Sequence, residues 1–196
     1  MPQQFQDCRK REQMDSNWFK LVMKITGVEY GKRLRLKGMP VIFNRHGARL
    51  KLGSNVTIKS SFLSNLVGLY NRTIIITRAP GAVIEIGDNV GISGATIYAR
   101  KGIYIGANTA VGGNCKILDN DFHPADPIIR EHTPSASYGT APVIIGRNVF
   151  IGCNSLILKG TSIGDNSVIG AGSVVSGTIP SNCMAAGNPV KIIKYF

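Results

Sequence analysis

Residues 145–176 read IGRNVFIGCNSLILKGTSIGDNSVIGAGSVVS, and this stretch repeats one pattern every six residues. Aliphatic residues recur at that spacing at Ile145, Ile151, Ile157, Ile163, Ile169 and Val175. Slim side chains stand two positions before the last five of these, at Val149, Ser155, Thr161, Ser167 and Ser173. A helix repeats about every 3.6 residues and a single strand every two, so a strict period of six predicts a stack of small structural units.

A weaker form of the pattern extends towards the N-terminus. It is visible at Ile86, Ile92 and Tyr98, then after a shift of one residue at Ile105, Val111 and Ile117, with faint copies at Leu52 and Ile58. Residues two apart in a strand point the same way, so each hexad supplies a short strand with inward groups. The triplets GDN, GAN, GRN and GCN are turn formers that tolerate left-handed backbone angles. Three hexads therefore make one triangular coil, and the stacked coils form a narrow prism that accepts only slim inward groups.

These repeats resemble the hexapeptide-repeat family, most specifically in IGRNVFIGCNSLILKGTSIGDNSVIGAGSVVSGTIPSNCMAAGNPVKIIK at 145–194. The resemblance covers residues 50–196 and implies an all-β fold, the left-handed parallel β-helix. It is nearest to sugar and polysaccharide O-acetyltransferases of the galactoside, maltose and colanic-acid types. It therefore implies an enzyme that uses acetyl-CoA and forms a homotrimer with active sites between subunits.

We expect three parts along the chain. Residues 1–30 form an amphipathic helical cap, residues 31–180 form the solenoid with an extruded loop at 118–142, and residues 181–196 form a tail. The apolar residues at helical spacing in the cap are Trp18, Phe19, Val22 and Ile25. Such a helix would hide the open end of the solenoid.

The net charge of +12 is concentrated in one segment. Residues 31–59 hold eight lysines and arginines and no acidic residue. This segment is either a solvated surface or a surface for an anionic partner: a phosphate-bearing ligand, an acidic glycan or an anionic membrane next to the helix. Nucleic acid is disfavoured, because the segment lacks interleaved aromatic residues and no nucleic-acid-binding motif is present.

The cellular compartment is predicted from what the chain contains. No run of 18 or more apolar residues predicts a transmembrane helix, and the first residues do not resemble a signal peptide. The cysteines are widely spaced without a CxxC pair, at Cys8, Cys115, Cys153 and Cys183. Such spacing is typical of reduced thiols, so we expect a cytoplasmic protein, with the inner face of the membrane as an alternative place of action.

The stretch DNDFHPAD at 119–126 places His123 in an interruption of the repeats. The interval between Ile117 and Ile145 is not a multiple of six, so the chain must leave the prism and return. A long loop in a compact solenoid usually serves a function. Acyl transfer from a thioester to a hydroxyl needs a base for the alcohol and an acid for the leaving thiolate. Histidine can do both, because its ordinary pKa is about 6.5.

In the family that the chain resembles, a histidine followed by proline on such a loop is the catalytic base. His123-Pro124 matches this motif. The resemblance therefore assigns the general base to His123, in a direct transfer with both substrates bound. Asp121, or alternatively Asp119, is the candidate that orients the imidazole ring.

Two further positions are predicted to contact the acceptor. Glu131 is a candidate for an acidic residue that supports the substrate or the base. Galactoside and maltose acetyltransferases carry an asparagine that orients the acceptor hydroxyl, where this chain reads ISGAT, with Ser93 nearest to that position. Simple galactosides and maltose are therefore disfavoured as acceptors.

The resemblance also implies a groove for CoA between neighbouring prisms. The matching positions along the pantetheine arm are Phe150, Gly152, Cys153, Ala171 and Ser176, and those near the nucleotide phosphates are Lys191 and Lys194. Family members more often carry an indole at position 150. Phe150 keeps the apolar platform without the N–H donor.

Other interpretations remain. The γ-class carbonic anhydrases share the solenoid and bind a metal through three histidines. This chain has three, His46, His123 and His132, but their spacing differs from that family, and we expect no metal. Drug-modifying acetyltransferases of the chloramphenicol and streptogramin types are an alternative, although they continue into a longer helical extension. A non-catalytic scaffold would explain the repeats but not His123-Pro124. The favoured function is transfer of acetyl from acetyl-CoA to a sugar hydroxyl of a surface or exported polysaccharide, or of its precursor.

Overall fold

The computed structural model describes residues 17–132 and 138–196, which wind into a triangular prism of three parallel sheets. The first face contains β1 Val28–Tyr30, β4 Arg49–Leu52, β7 Val83–Ile86, β10 Gly102–Ile105, β13 Val143–Ile145, β16 Ser162–Ile163 and β19 Thr178–Ile179. The second face contains β2 Arg35–Lys37, β5 Thr57–Lys59, β8 Gly91–Ser93, β11 Ala110–Val111, β14 Phe150–Ile151, β17 Val168–Ile169, β20 Cys183–Ala186 and β21 Lys191–Tyr195. The third face contains β3 Val41–Asn44, β6 Ile74–Thr77, β9 Thr96–Ala99, β12 Lys116–Leu118, β15 Leu156–Ile157 and β18 Val174–Val175.

Each coil gives one strand to each face, and three corners join the faces. The first corner joins the first and second faces, the second corner joins the second and third faces, and the third corner leads from the third face back to the first. All the strand pairs are parallel except that of β20 with β21, which is antiparallel and ends the second face. The all-β solenoid that the repeat predicts is therefore confirmed.

The core is a column of aliphatic side chains in register from coil to coil. Ile145 pairs with Ile163 and Ile163 with Ile179, and all three are buried. Each such buried side chain contributes about 1.5–3 kcal/mol relative to exposure. The slim residues of the repeat lie inside as expected. For example, Ser155 and Ser173 are buried, and their hydroxyls donate to the carbonyls of Gly152 and Gly170 at 2.8 and 2.6 Å.

Asparagines in left-handed conformation build the first corner. They are Asn55, Asn89, Asn108, Asn148, Asn166 and Asn182, with φ between 54° and 63°. Their side chains also bond from coil to coil: Asn148 donates to Asn166 and Asn166 donates to Asn182, each at 3.0 Å. Asparagine tolerates this backbone region better than most residues, and its amide can bond in both directions. This explains why the corner triplets end in asparagine.

The N-terminal helix, α1, is described over residues 17–25. The side of the helix that packs on the prism is only partly the predicted one. Met23 is buried in the core and Phe19 packs against it, whereas Trp18 and Ile25 are 66% and 76% exposed. Two apolar stripes compete on this short helix, and the stripe of Phe19 and Met23, four residues apart, is the one that meets the prism. Within the described part of the chain, no helix has the length and apolar character needed to cross a bilayer.

The repeat is also longer and less regular than predicted. The first coil begins at Val28, inside the segment assigned to the cap, and β20 still belongs to the prism although the tail was placed from residue 181. In β9, Ile97 and Ala99 are buried, whereas Tyr98 is not. The spacing from Ile92 to the next buried isoleucine, Ile97, is five residues instead of six.

Candidate active site

A continuous row of outward side chains runs along the second face. The residues in register are Arg35, Thr57, Gly91, Ala110, Phe150, Val168, Met184 and Lys194. At about 4.8 Å per strand the row is about 34 Å long. Cations stand at its two ends, and one aromatic ring stands near its middle.

Phe150 is the aromatic ring of that row, and its side chain is 50% exposed. The neighbouring positions towards the N-terminus, Ala110 and Gly91, carry almost no side chain, so the floor beside the ring is flat. An exposed ring next to a flat floor offers an apolar platform for an extended ligand. Phe150 is one of the residues predicted to line the pantetheine arm.

Three of the other predicted CoA contacts lie together at the second corner. Gly152 is buried and Cys153 is half-buried, and both follow β14 directly. Ala171 is exposed one coil further on. A Cβ on Gly152 would lie 2.4 Å from the Ala171 nitrogen, so the coil packing itself requires this glycine.

The remaining predicted CoA residues lie elsewhere on the prism. Lys191 and Lys194 are exposed on β21, at the C-terminal end of the second face. Ser176 follows β18 at the third corner, which is the edge of the prism opposite the second face. One chain therefore does not bring Ser176 next to Phe150.

The loop that carries His123 leaves from the third corner and is closed at its foot. The N–H of Asp121 donates to the carbonyl of Gly139 at 3.1 Å, and the N–H of Ala141 donates to the carbonyl of Asp119 at 3.0 Å. Asn120 and Thr140 form an isolated β-bridge between these two bonds. Beyond the foot the chain forms a short helix, α2 Pro127–His132. Residues 133–137 lie outside the described part.

His123 is presented by a constrained turn. The preceding residue, Phe122, has a φ of 63°, which is uncommon for a bulky side chain and usually has a structural or functional reason. Two contacts hold it there: its N–H donates to the Asn120 side-chain oxygen at 3.1 Å, and its ring centroid lies 5.0 Å from that of Tyr98. His123 itself is exposed, and within the described residues its imidazole makes no hydrogen bond. The imidazole is therefore accessible at the surface of the described part of the chain.

The two aspartates predicted to orient the ring have other partners. Asp119 is buried, and its carboxylate accepts hydrogen bonds from the backbone N–H groups of Arg100, Lys101 and Gly102 at 2.6–3.0 Å. The Asp121 carboxylate lies 2.8 Å from the Lys159 ammonium of the next coil. Asp119 thus fixes the third corner, and Asp121 fixes the foot of the loop, instead of holding the imidazole.

The predicted acceptor residues are separated from each other. Ser93 ends β8 where the second face meets the second corner, and it is 8% exposed. Glu131 and His132 are exposed on α2 in the loop, and His46 lies at the third corner three coils earlier. Within the described residues, no three His, Cys, Asp or Glu side chains converge in a possible metal site.

The basic segment 31–59 is divided among the faces. Arg49 and Lys51 lie on the first face, where Arg49 pairs with Glu29 at 3.5 Å and with Glu85 at 3.0 Å. A depression of about 460 Å³ on that face includes Lys51 and Glu85 but none of the predicted site residues. The cations at the N-terminal end of the second face are Arg35, Lys37 and Lys59.

One element near the site was missed from the sequence, an insertion at the second corner between β5 and β6. It contains the 3-10 helix η1 Phe62–Ser64. Its far end is fixed by Asn114, whose side chain donates to the Gly68 carbonyl at 2.9 Å and accepts from the Tyr70 N–H at 3.2 Å. The Tyr70 hydroxyl also donates to the Asn154 side chain at 3.1 Å. The available signal was the separation of Ile58 from Ile92, which is too long for one ordinary coil.

Along most of its length the chain is similar to acetyltransferases. A family model described as the hexapeptide repeat of succinyl-transferase matches residues 142–176. The protein YJL218W of Saccharomyces cerevisiae, named provisionally as an acetyltransferase, is 39% identical over 140 residues, covering 69% of this chain and 70% of that protein. The galactoside O-acetyltransferase of Escherichia coli is 34% identical over 142 residues, covering 72% of this chain and 55% of that enzyme.

A solved structure shares the fold. A mutant of AntD, an N-acyltransferase from Bacillus cereus in complex with dTDP-4-amino-4,6-dideoxyglucose and coenzyme A, has a TM-score of 0.69 at 22% identity, over 90% of this chain and 87% of that chain. This likeness concerns the fold alone, and with the repeat family it confirms the left-handed parallel β-helix.

The fold and the sequence similarity define the class of protein as an acyltransferase built on hexapeptide repeats. The chain belongs to the hexapeptide-repeat acetyltransferases. The chain spans little more than half the length of the Escherichia coli relative that it matches.

Proposed function

We propose that the protein transfers the acetyl group of acetyl-CoA to a hydroxyl of a sugar in a surface or exported polysaccharide, or in its precursor. The observation that carries this proposal is the presentation of His123. A bulky residue in left-handed conformation places an exposed imidazole at the foot of a closed loop. A scaffold has no need of such a constraint. The relative in Escherichia coli is named a galactoside O-acetyltransferase, which supports a sugar acceptor.

In this mechanism His123 acts as general base on the acceptor hydroxyl. As the imidazole takes the proton, the oxygen attacks the thioester carbonyl and a C–O bond forms. The tetrahedral intermediate then collapses, the C–S bond breaks, and the imidazolium returns its proton to the departing CoA thiolate. No covalent acyl-enzyme is needed when both substrates are bound together.

The site is completed between copies of the chain. His123 leaves from the third corner, whereas Phe150 and Ser93 lie on the opposite second face. One prism cannot place an imidazole at the third corner against its own second face. In the proposed homotrimer, the second face and second corner of one prism meet the third corner of its neighbour. That arrangement brings Ser176 and His123 of one copy to Phe150, Cys153 and Ala171 of the next.

The CoA groove follows from the same packing. The pantetheine arm lies on the Phe150 platform beside the second corner, and the nucleotide phosphates reach Lys191 and Lys194 on β21. In this proposal Glu131 faces the acceptor from the loop. Reduced cysteines and an acetyl-CoA-dependent reaction fit a cytoplasmic location.

The test is release of free thiol from acetyl-CoA with a panel of mono- and oligosaccharides, sugar phosphates, nucleotide sugars and chloramphenicol. We expect sugar-dependent release by the wild type and a loss of at least a hundredfold in kcat for His123→Ala, with unchanged CoA affinity and oligomeric state. Retained turnover in that variant would exclude His123 as the base. Release with chloramphenicol but with no sugar would favour the drug-modifying alternative.

A further inference from the structure

The N-terminal end of the second face carries a second row of outward residues, beside the one that contains Phe150. Lys37 of β2, Lys59 of β5 and Ser93 of β8 are direct neighbours in the parallel ladder. Adjacent strands lie about 4.8 Å apart, so the Lys59 backbone is about 5 Å and the Lys37 backbone about 10 Å from that of Ser93. Arg35 stands two residues before Lys37 on the same strand and on the same side.

These cations are not neutralised by the protein around them. Residues 30–84 contain no aspartate or glutamate. On the first face, the same coils balance Arg49 with Glu29 and Glu85. On the second face, Arg35, Lys37 and Lys59 form no ion pair within residues 17–132 and 138–196. Like charges at this spacing repel one another, so a site of this kind is suited to an anion.

The insertion at the second corner borders these cations on one side. The insertion at the second corner begins directly after Lys59, and a Cβ on Gly94 would lie 3.0 Å from the Leu69 side chain, so the insertion packs beside Ser93. It exposes a set of large apolar side chains, Phe62, Leu63, Leu66, Val67 and Tyr70, each 59–83% exposed. Ser93 is thus bordered along the face by Lys59, with Lys37 one strand further on, and at the corner by an apolar projection.

We propose that this end of the second face binds a phosphate group carried by the acceptor, so that the acceptor is a sugar phosphate. This inference rests on the proposed function, in which the acceptor hydroxyl binds next to Ser93. Lys59 and Lys37 are one and two strand spacings from Ser93, which leaves room for a sugar ring between the reacting hydroxyl and the phosphate. The cations assigned to CoA stand at the other end of the face, on β21. The two ends of the face therefore hold the phosphates of two different substrates.

The test compares one sugar in four forms: free, as its 1-phosphate, as a nucleoside diphosphate sugar and as a short-chain polyprenyl diphosphate sugar. We expect kcat/KM for the phosphate-bearing forms to exceed that for the free sugar by at least a hundredfold at low salt, and the advantage to shrink at high salt. Lys59→Gln and Lys37→Gln each raise KM for the phosphate-bearing forms about tenfold. They leave KM for acetyl-CoA unchanged. Lys51→Gln, which removes a lysine from the first face of the same coil, changes neither constant.

Equal use of the free sugar, or an equal effect of Lys51→Gln, would overturn the proposal. Binding of the sugar 1-phosphate, measured by calorimetry without acetyl-CoA, separates the two hypotheses. Lysine-dependent binding with no turnover would support the phosphate site and contradict the proposed function. Turnover that does not depend on the lysines would support the proposed function and contradict the phosphate site. The source of the phosphate is distinguished by Leu66→Ser. This variant weakens only the polyprenyl form if the apolar projection contacts a lipid, and weakens no form if the natural acceptor is a nucleotide sugar.

Discussion

The ring of Phe122 packs against the ring of Tyr98, with a centroid separation of 5.0 Å, and this contact connects the third face of the prism to the residue that precedes His123. Tyr98 lies on a strand and is therefore fixed by the coil. Phe122 lies in the loop with a φ of 63°. The contact therefore packs the residue before His123 against a residue of the sheet, which restricts where the imidazole can lie.

We expect Phe122→Ala to lower kcat by about ten- to a hundredfold, because misplacement of a reacting group by about 1 Å can cost that much. KM for acetyl-CoA should change less than twofold. Tyr98→Ala removes the same contact from the other side and should reproduce the effect. Steady-state kinetics on both variants measures this, and a loss confined to KM for acetyl-CoA would show that the contact serves the CoA groove instead.

Substitution of the two loop aspartates should lower the stability of the protein by different amounts. Asp119 is buried and satisfies three backbone N–H groups, and hydrogen bonds to charged groups contribute roughly 1.5–3 kcal/mol each. Asp119→Ala should therefore lower the free energy of unfolding by about 3 kcal/mol or more. Asp121→Ala breaks a half-exposed ion pair with Lys159 and should cost less than about 1 kcal/mol. Urea unfolding of both variants checks the difference.

The activity of Asp121→Asn tests its role further. Because the carboxylate contacts Lys159, we expect kcat to fall less than tenfold and the pH dependence of kcat to stay the same. A larger loss together with a shifted pH profile would mean that Asp121 turns towards the imidazole in the assembled enzyme.

The cysteines should react selectively. Burial raises the pKa of the Cys115 thiol to about 11, so at pH 8 roughly one molecule in a thousand carries the thiolate there. Cys183 is also fully buried. In a Cys8→Ser background, iodoacetamide should therefore modify Cys153 alone, and acetyl-CoA should slow that reaction at least tenfold. Mass spectrometry of the alkylated protein measures it, with Cys153→Ala as the control. Equal rates with and without acetyl-CoA would place Cys153 outside the CoA groove.

Substitutions in the row of first-corner asparagines should separate two contributions to stability: the left-handed backbone conformation and the side-chain hydrogen bonds. Asn166 has a φ of 59°, accepts from Asn148 and donates to Asn182. Asn166→Ala loses both bonds and adds a left-handed alanine, so we expect a loss of about 2–3 kcal/mol. Asn166→Gly relieves the backbone and should lose only about half as much. Chemical unfolding compares them, and equal losses would assign the whole effect to the side-chain bonds.

The strict repeats allowed most of the fold to be predicted. Where a six-residue period is exact, as from Ile145 to Val175, the buried column follows it residue by residue. The prediction weakened where coils depart from eighteen residues. Ile97 takes the inward position expected of Tyr98, and the first coils begin at Val28 with longer corners that hide the period.

The spatial arrangement of the site could not be predicted from the sequence. The sequence indicated His123 and Phe150, but it could not show that they lie on opposite sides of one prism, because that depends on counting corners exactly. It also could not show that Lys159 forms an ion pair with the carboxylate of Asp121, since the two residues meet only when successive coils stack. The insertion after Lys59 has no repeat to give it a place, so its position beside Ser93 emerged only from the structure.

The closed foot of the His123 loop makes the loop an exchangeable module. Strand pairing continues across it as though it were absent: Lys116 pairs with Leu156 and Ile117 with Ile157, the same register as in the coils beyond. The register of the coils is therefore the same before and after the loop. A change in the length of that insertion would therefore leave the register of the later coils unchanged.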